Sequence, residues 1–204
     1  MQKNKHLTNR QGVKFDQLGR QNNVSRAKMK EFFSQFKLRN LQNLKSKKII
    51  SIPKMSFNPG EFFIHRRNDN GIQLWLSDDI QNIFLPLLSK NIEFDGVDLE
   101  KLRLKKRLSD FDIQKKIGNQ IQNPDDIAAE IKHLISQQPK GKKNGDLDVP
   151  YISHIFYFEY MDRVWSVWLR WGDDGEEWDM DCDETNAFEW NVDDSVFSPA
   201  TDKS

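Results

Sequence analysis

The run Glu177-Trp178-Asp179-Met180-Asp181-Cys182-Asp183-Glu184 sets acidic and apolar residues at alternating positions. In an extended chain this spacing projects Asp179, Asp181 and Asp183 from one face, and grouped carboxylate oxygens are ligands for Mg²⁺ or Ca²⁺. With Glu159 added to Asp179 and Asp181, the chemistry would be that of a metal-dependent hydrolase or nuclease. Alternating acids on the solvent side of an edge strand also serve a purely structural purpose, since they block edge-to-edge association of sheets.

The spacing Asp179-x-Asp181-x-Asp183 matches the start of an EF-hand loop, but Glu184 stands where that loop requires Gly and Trp190 where it requires Glu. The EF-hand is therefore rejected, and neither metal nor cofactor is expected. His6, His65, His133 and His154 are scattered without metal-ligand spacing. The single cysteine, Cys182, falls at an apolar position of the alternation, which suits an inert buried thiol. No nucleophile elbow, phosphate-binding loop or dinucleotide fingerprint is present, so no catalytic residue is assigned.

A different chemistry, recognition, follows from the aromatic and charged residues. Tyr157, Trp168 and Arg170 share a face with Asp179 and Asp181 in the register argued below, and exposed Trp, Tyr and Arg are the residues that dominate protein interfaces. The structural alternative is that other parts of the chain cover these aromatics.

The formal net charge is zero, yet it divides steeply along the chain. Residues 1–56 carry 14 Lys/Arg against Asp16 and Glu31, or +12; residues 57–150 come to −1; residues 151–204 carry three basic residues against 14 acids, or −11. The first segment exceeds what solubility demands. Arg26, Lys28, Lys30, Lys37, Arg39, Lys45, Lys47 and Lys48 are its candidate contacts to nucleic acid or to an acidic partner.

The elements that must position these residues are read from periodicity. Residues 1–24 are polar and aperiodic, which predicts a mobile basic arm. Met29, Phe32, Phe33, Phe36, Leu41 and Leu44 recur among lysines, predicting a basic amphipathic helix over residues 25–48 with Ser25 as its cap. A strand at Ile49–Ile52 ends at Pro53, and a β-hairpin is predicted at about 61–76 around Asn68-Asp69-Asn70-Gly71. Helices are predicted after Ser77, over 98–108 on Leu99, Leu102 and Leu108, and from Asn123-Pro124 on Ile127, Ile131, Leu134 and Ile135. Residues 139–150, PKGKKNGDLDVP, read as an exposed linker closing a mainly helical region of 25–138.

The last part, 151–197, reads as an antiparallel meander. The Asp174-Gly175 turn sets Trp171 opposite Trp178, Leu169 opposite Met180 and Val167 opposite Cys182, matching apolar residues on one face. A turn at Asp162-Arg163 sets Tyr160, Phe158 and Phe156 opposite Trp165, Val167 and Leu169, and Phe188, Trp190 and Val192 suggest a fourth strand. The fold class expected is α+β: a basic N-terminal helix and a helical middle with a β-hairpin, packed on a three- to four-stranded antiparallel meander.

At 204 residues and 37% hydrophobic composition the chain has enough apolar material for a core. It holds no run near the roughly 18 apolar residues of a membrane helix, and one cysteine forms no internal disulfide. A cytoplasmic protein without membrane insertion is expected. Its function is read as non-enzymatic binding: nucleic acid or an acidic partner on the basic segment, a protein partner on the acidic aromatic sheet, with self-association an option. The alternatives are an inhibitor or immunity-type protein whose acidic sheet imitates nucleic acid, and the metal-dependent hydrolase.

Overall fold

The computed structural model describes residues 44–67, 71–142, 144–172, 176–185 and 189–200, and the chain divides into two units, Met1–Gln42 and Asn43–Ser204. In chain order the second unit comprises β1 (Leu44–Ile52), β2 (Met55–Phe57), α1 (Pro59–Phe62), β3 (Arg66–Arg67) and β4 (Gln73–Leu76). A π-helical turn (Ile80–Phe84) runs into a 3₁₀ turn (Leu85–Leu87), followed by β5 (Ile92–Phe94), β6 (Val97–Leu104), β7 (Leu108–Ser109), α2 (Asp110–Ile117) and α3 (Pro124–Gln137). The strands β8 (His154–Tyr160), β9 (Arg163–Gly172), β10 (Glu177–Glu184), β11 (Glu189–Trp190) and β12 (Ser195–Pro199) complete it.

Among the described residues the architecture is mostly β. Eight strands form one mixed sheet in the order β1-β6-β12-β8-β9-β10-β4-β3, in which β12 runs parallel to β8 and β10 parallel to β4. The expected α+β fold, a helical middle on a small meander, is therefore corrected. The three-stranded meander β8-β9-β10 is the centre of an eight-stranded sheet, and β12, β6 and β1 extend it on one side while β4 and β3 extend it on the other.

Three misreadings produced the error. Residues 98–108 are not helical: most of them lie in β6, with Leu99 on one sheet face and Leu102 and Leu104 on the other. A strand buried on both faces places leucines at both parities, and the resulting three-residue step imitates a helix. Residues 44–48 of the expected basic helix belong to β1, which pairs with β6 from Leu44↔Leu104 to Ile52↔Val97; residues 25–43 lie outside the described residues. The first arm of the 61–76 hairpin is shortened to Arg66–Arg67, because Asn58 caps α1 through Gly60 N–H (2.9 Å) with Pro59 in its first turn, drawing Glu61 and Phe62 into a helix.

The β9–β10 register is as expected: Trp171↔Trp178, Leu169↔Met180 and Val167↔Cys182. The β8–β9 register is corrected by two residues, to Phe158↔Trp165, Phe156↔Val167 and His154↔Leu169. The turn is Met161-Asp162, both at positive φ (50° and 58°), one residue earlier than read. A two-residue hairpin turn with both central residues left-handed matches the twist of the strands. Since side chains alternate with period two, a two-residue shift leaves every residue on its expected face.

Each face of the sheet carries its own core. On one, α3 buries Ile127, Ile131, Leu134 and Ile135 against Phe156, Phe158, Val167, Leu169, Trp178 and Met180. On the other, α2 and the β7–β11 ribbon bring Ile113, Ile117, Leu108 and Trp190 onto Leu104, Ile155, Tyr157 and Val196. The expected fourth strand therefore sits outside the main sheet: Trp190 pairs with Leu108, and Ser195–Pro199 takes the place beside β8.

Residues 139–150 are anchored. Gln138, fully buried, brackets the segment by accepting from Leu147 N–H (2.7 Å) and donating to Leu147 carbonyl (3.0 Å), while its own carbonyl accepts from Trp178 Nε1 (3.0 Å). Lys48 and Lys101 ion-pair with Asp146 and Asp148, the latter at 2.8 Å. Buried Glu130 of α3 stands 2.8 Å and 3.1 Å from the nearest Gln122 amide atom; burial, then the neighbouring Asp126, raise its carboxyl well above the usual range.

Leu169→Ala, at a fully buried position, should lower the unfolding free energy by about 2 to 5 kcal/mol in a denaturant titration, and Asp181→Ala by much less. A larger loss from Asp181 would mean that the two faces are inverted. Glu130 takes up a proton on folding, so its contribution to stability falls as pH rises above the ordinary glutamate range. The melting temperature of Glu130→Gln relative to the parent should therefore climb between mildly acidic and mildly alkaline pH; a difference independent of pH would refute this.

Candidate functional site

The face of the sheet that carries the second core is covered around Leu104, Val196, Ile155, Tyr157 and Ser166, and becomes accessible toward Arg170, the carboxylates of β10 and Trp75. The covered part is held by Tyr157. Its hydroxyl donates to Asp110 Oδ1 (2.8 Å), which also accepts from Trp190 Nε1 (2.7 Å), so one carboxylate at the start of α2 ties a strand, a helix and a ribbon together. Ser109 caps α2 by accepting from Asp112 N–H, and Gly118 ends it at φ 76°, which fixes where Asp110 stands. Burial raises the Asp110 carboxyl above its ordinary range while the two donors pull it down. Asp110 carries no periodic signature; a Ser-Asp-x-Asp start ahead of Ile113 and Ile117 with Gly118 at the end was the available sign of the helix that places it.

Tyr157, read from the sequence as part of a partner-binding face, is 1% exposed and belongs to the core. The other four residues of that reading come together on the open part. Trp168 lies opposite Asp181 and Arg170 opposite Asp179 across β9 and β10. The Arg170 guanidinium stands 5.5 Å from the Trp168 ring centroid and its Nε donates to Asp179 Oδ2 (3.2 Å). Trp168 Nε1 donates to Asp183 Oδ2 (3.2 Å), and its ring meets Trp190 edge-on at 6.3 Å, so it is half-buried at the rim of the second core. Asp181 accepts from the Cys182 N–H (2.8 Å).

One residue of this face was not singled out from the sequence. Trp75 lies opposite Asp179 in the parallel β4–β10 pair and is 42% exposed, whereas its neighbours Leu74 and Leu76 turn to the first core. The alternation of Gln73-Leu74-Trp75-Leu76 holds that signal once the strand is known to be covered on one side only. The open face is thus a shallow stripe of two tryptophans, one arginine and a row of carboxylates.

The hydrolase reading required Glu159 beside Asp179 and Asp181. Glu159 pairs with Val164 near the other end of β9, with β9 between it and β10. Among the described residues no group of three His, Cys, Asp or Glu side chains is arranged to hold a metal. Burial pushes the Cys182 thiol up, with the acids Asp79, Asp181 and Asp183 adding to it, so the buried sulfur is held as a thiol. His154, fully buried against Phe197, is held down to about 3 by burial and by Lys101, and as a neutral ring donates from Nε2 to the Asp148 carbonyl (2.9 Å).

Of the basic candidates, Arg26, Lys28, Lys30, Lys37 and Arg39 lie outside the described residues. Lys45, Lys47 and Lys48 lie on β1, where Lys48 is exposed and paired with Asp146. Among the described residues no helix is long and apolar enough to cross a membrane. No protein-family model, curated protein or solved structure proves significantly similar to this chain.

Asp110→Ala strands two buried donors and should cost about 2 to 4 kcal/mol in unfolding free energy. Asp179→Ala, which breaks a half-exposed pair, should cost no more than about 1 kcal/mol. Equal losses from the two variants would contradict the division of this face into a covered and an open part.

Proposed function

We propose that this protein is a non-enzymatic binding protein that holds nucleic acid through its basic N-terminal segment and presents the open acidic aromatic face to a protein partner. The observation that carries the reading is the segregation of charge: +12 over residues 1–56 against −11 over residues 151–204 in a chain of zero net charge. A polyanion gains counterion-release free energy from the first and is repelled by the second, so the two ends take different partners. The placement of Trp75, Trp168 and Arg170 beside Asp179 and Asp181 supports the second half, because aromatic and arginine anchors with acids around them suit a basic, partly apolar protein surface.

Binding of the full chain to a labelled DNA duplex and to single-stranded RNA across a salt series tests the first half. With about six phosphates neutralised, log K should fall with log salt at a slope near −5 for duplex, and less steeply for a single strand. Replacing Arg26, Lys28, Lys30, Lys37 and Arg39 by Gln together should remove most of the affinity, with little dependence on base sequence in the parent. Absence of affinity at low salt for either polymer would overturn the nucleic-acid reading and leave an acidic protein as the partner of the basic segment.

A further inference from the structure

We infer that Glu130 and Gln122 form a proton-operated latch where the chain crosses from one layer of the unit to the other: with Glu130 neutral the Gln122 side chain ties α3 to β12, and when Glu130 loses its proton to solvent the amide turns over and releases β12. The latch does not depend on what the protein binds.

The crossing is a consequence of the two cores. α2 packs in the second and α3 in the first, so residues 118–123 lead from one side of the sheet to the other. They meet the sheet where two of its strands part. β12 pairs with β8 only through Ser195↔His154 and Val196↔Ile155, and past that point Gln122 engages both strands. Its N–H donates to the Tyr157 carbonyl (2.9 Å), it bridges to Phe158, and its Nε2 donates to the Phe197 carbonyl (3.4 Å). Gln122 is 7% exposed, a buried stitch between β8 and β12.

The same amide faces Glu130, which is 1% exposed and whose two carboxyl oxygens stand 2.8 Å and 3.1 Å from it. A primary amide has one donor end and one acceptor end, so it cannot donate to a carbonyl and to a carboxylate on opposite sides at once. With Nε2 on the Phe197 carbonyl, Oε1 lies on Glu130, and only a protonated carboxyl can donate to it. With Glu130 ionised, the carboxylate takes Nε2, and Oε1 is turned toward the Phe197 carbonyl, acceptor against acceptor. Buried polar groups are costly to leave unpaired, so these are two discrete arrangements, and the proton on Glu130 selects between them.

The surroundings favour the neutral acid. Burial, and then Asp126 one turn earlier on α3, hold the Glu130 carboxyl well above the usual range. Residues 118–123 and β12 carry no ionisable side chain. On β8, His154 is held neutral beside Phe197, and Tyr157 turns to the second core. Lys101 on β6 is engaged by Asp148 at 2.8 Å, and Glu93 on β5 is exposed and accepts from Ser56 Oγ (2.6 Å). The latch is therefore shut at acidic pH and opens as pH rises through the raised midpoint of Glu130.

The test is an NMR titration of the full chain, labelled with ¹³C and ¹⁵N in its Glu and Gln residues, from acidic to alkaline pH. The Glu130 Cδ resonance should titrate above the ordinary glutamate range, and the Gln122 side-chain NH₂ resonances should shift with the same midpoint. In Glu130→Gln, which keeps the neutral shape, that titration of the Gln122 side chain should be lost. Asp126→Asn should lower the shared midpoint while leaving the two residues coupled. Gln122→Leu, which keeps the backbone N–H, should raise the Glu130 midpoint further, because the ionised form loses the stronger, charge-assisted bond. A Gln122 side chain that stays unmoved through the Glu130 midpoint in the parent would overturn the latch, whatever the variants do. So would a Glu130 that titrates in the ordinary range, or a Gln122 titration that survives in Glu130→Gln.

Discussion

Strand β8 is buried on both sides, and that constraint organises the rest of the unit. His154 through Phe158 are all inaccessible: Phe156 and Phe158 point into the core under α3, and Ile155 and Tyr157 into the core under α2. A strand in that position needs a layer on each face, so the meander could not remain a two-layer module with one wet side. Tyr157 makes the second layer specific. Its hydroxyl, taken out of water, requires a partner, and Asp110 supplies it together with Trp190, which fixes α2 and β11 over the strand.

The first layer is secured by a comparable device at the other end of α3. Gln138 is fully buried and exchanges hydrogen bonds with Leu147 while capturing Trp178 Nε1 through its carbonyl. The chain leaving the helix is thereby bound to the sheet at a tryptophan that also packs edge-on against Trp171 at 5.5 Å. Gly141, at φ 58°, presses so closely on the Trp171 ring that a Cβ there would lie 2.2 Å from it, so this passage requires glycine for space and for backbone conformation alike. Lys101, whose ammonium stands 5.9 Å from the Phe197 ring centroid and pairs with Asp148, completes the fastening.

The same division into covered and open regions decides which charged residues are available for binding. Around Leu104, Val196, Ile155, Tyr157 and Ser166 the sheet is sealed by its own chain. Toward Arg170, β10 and Trp75 it is accessible, and there Arg170 links Trp168 to Asp179 while Trp75 stands beside them. The carboxylates of β10 are thus partly neutralised from within the face, through Arg170 on Asp179 and the Trp168 N–H on Asp183. A surface of this kind suits a protein partner with basic and apolar groups better than a bare divalent ion, which would need several carboxylates converging on one point.

Charge distribution and local pairing were legible in the sequence because each depends on residues close along the chain. The β9–β10 register followed from one turn and an alternating pattern, α3 from its Asn-Pro start and its apolar stripe, and the shared face of Trp168, Arg170, Asp179 and Asp181 from the period of two. The extent of the sheet was not legible, because β6 and β12 read as strands only once both of their faces have neighbours. Leu99 and Leu102 have the three-residue step of a helix when seen alone, and their division between two cores is a property of the packed sheet. Tyr157 and Trp168 carried the same signal as alternating aromatics, yet one is sealed beneath α2 and the other lies at its rim. Which aromatic is core and which is surface depends on where a distant helix lands, and that is set by the packing of elements far apart in sequence.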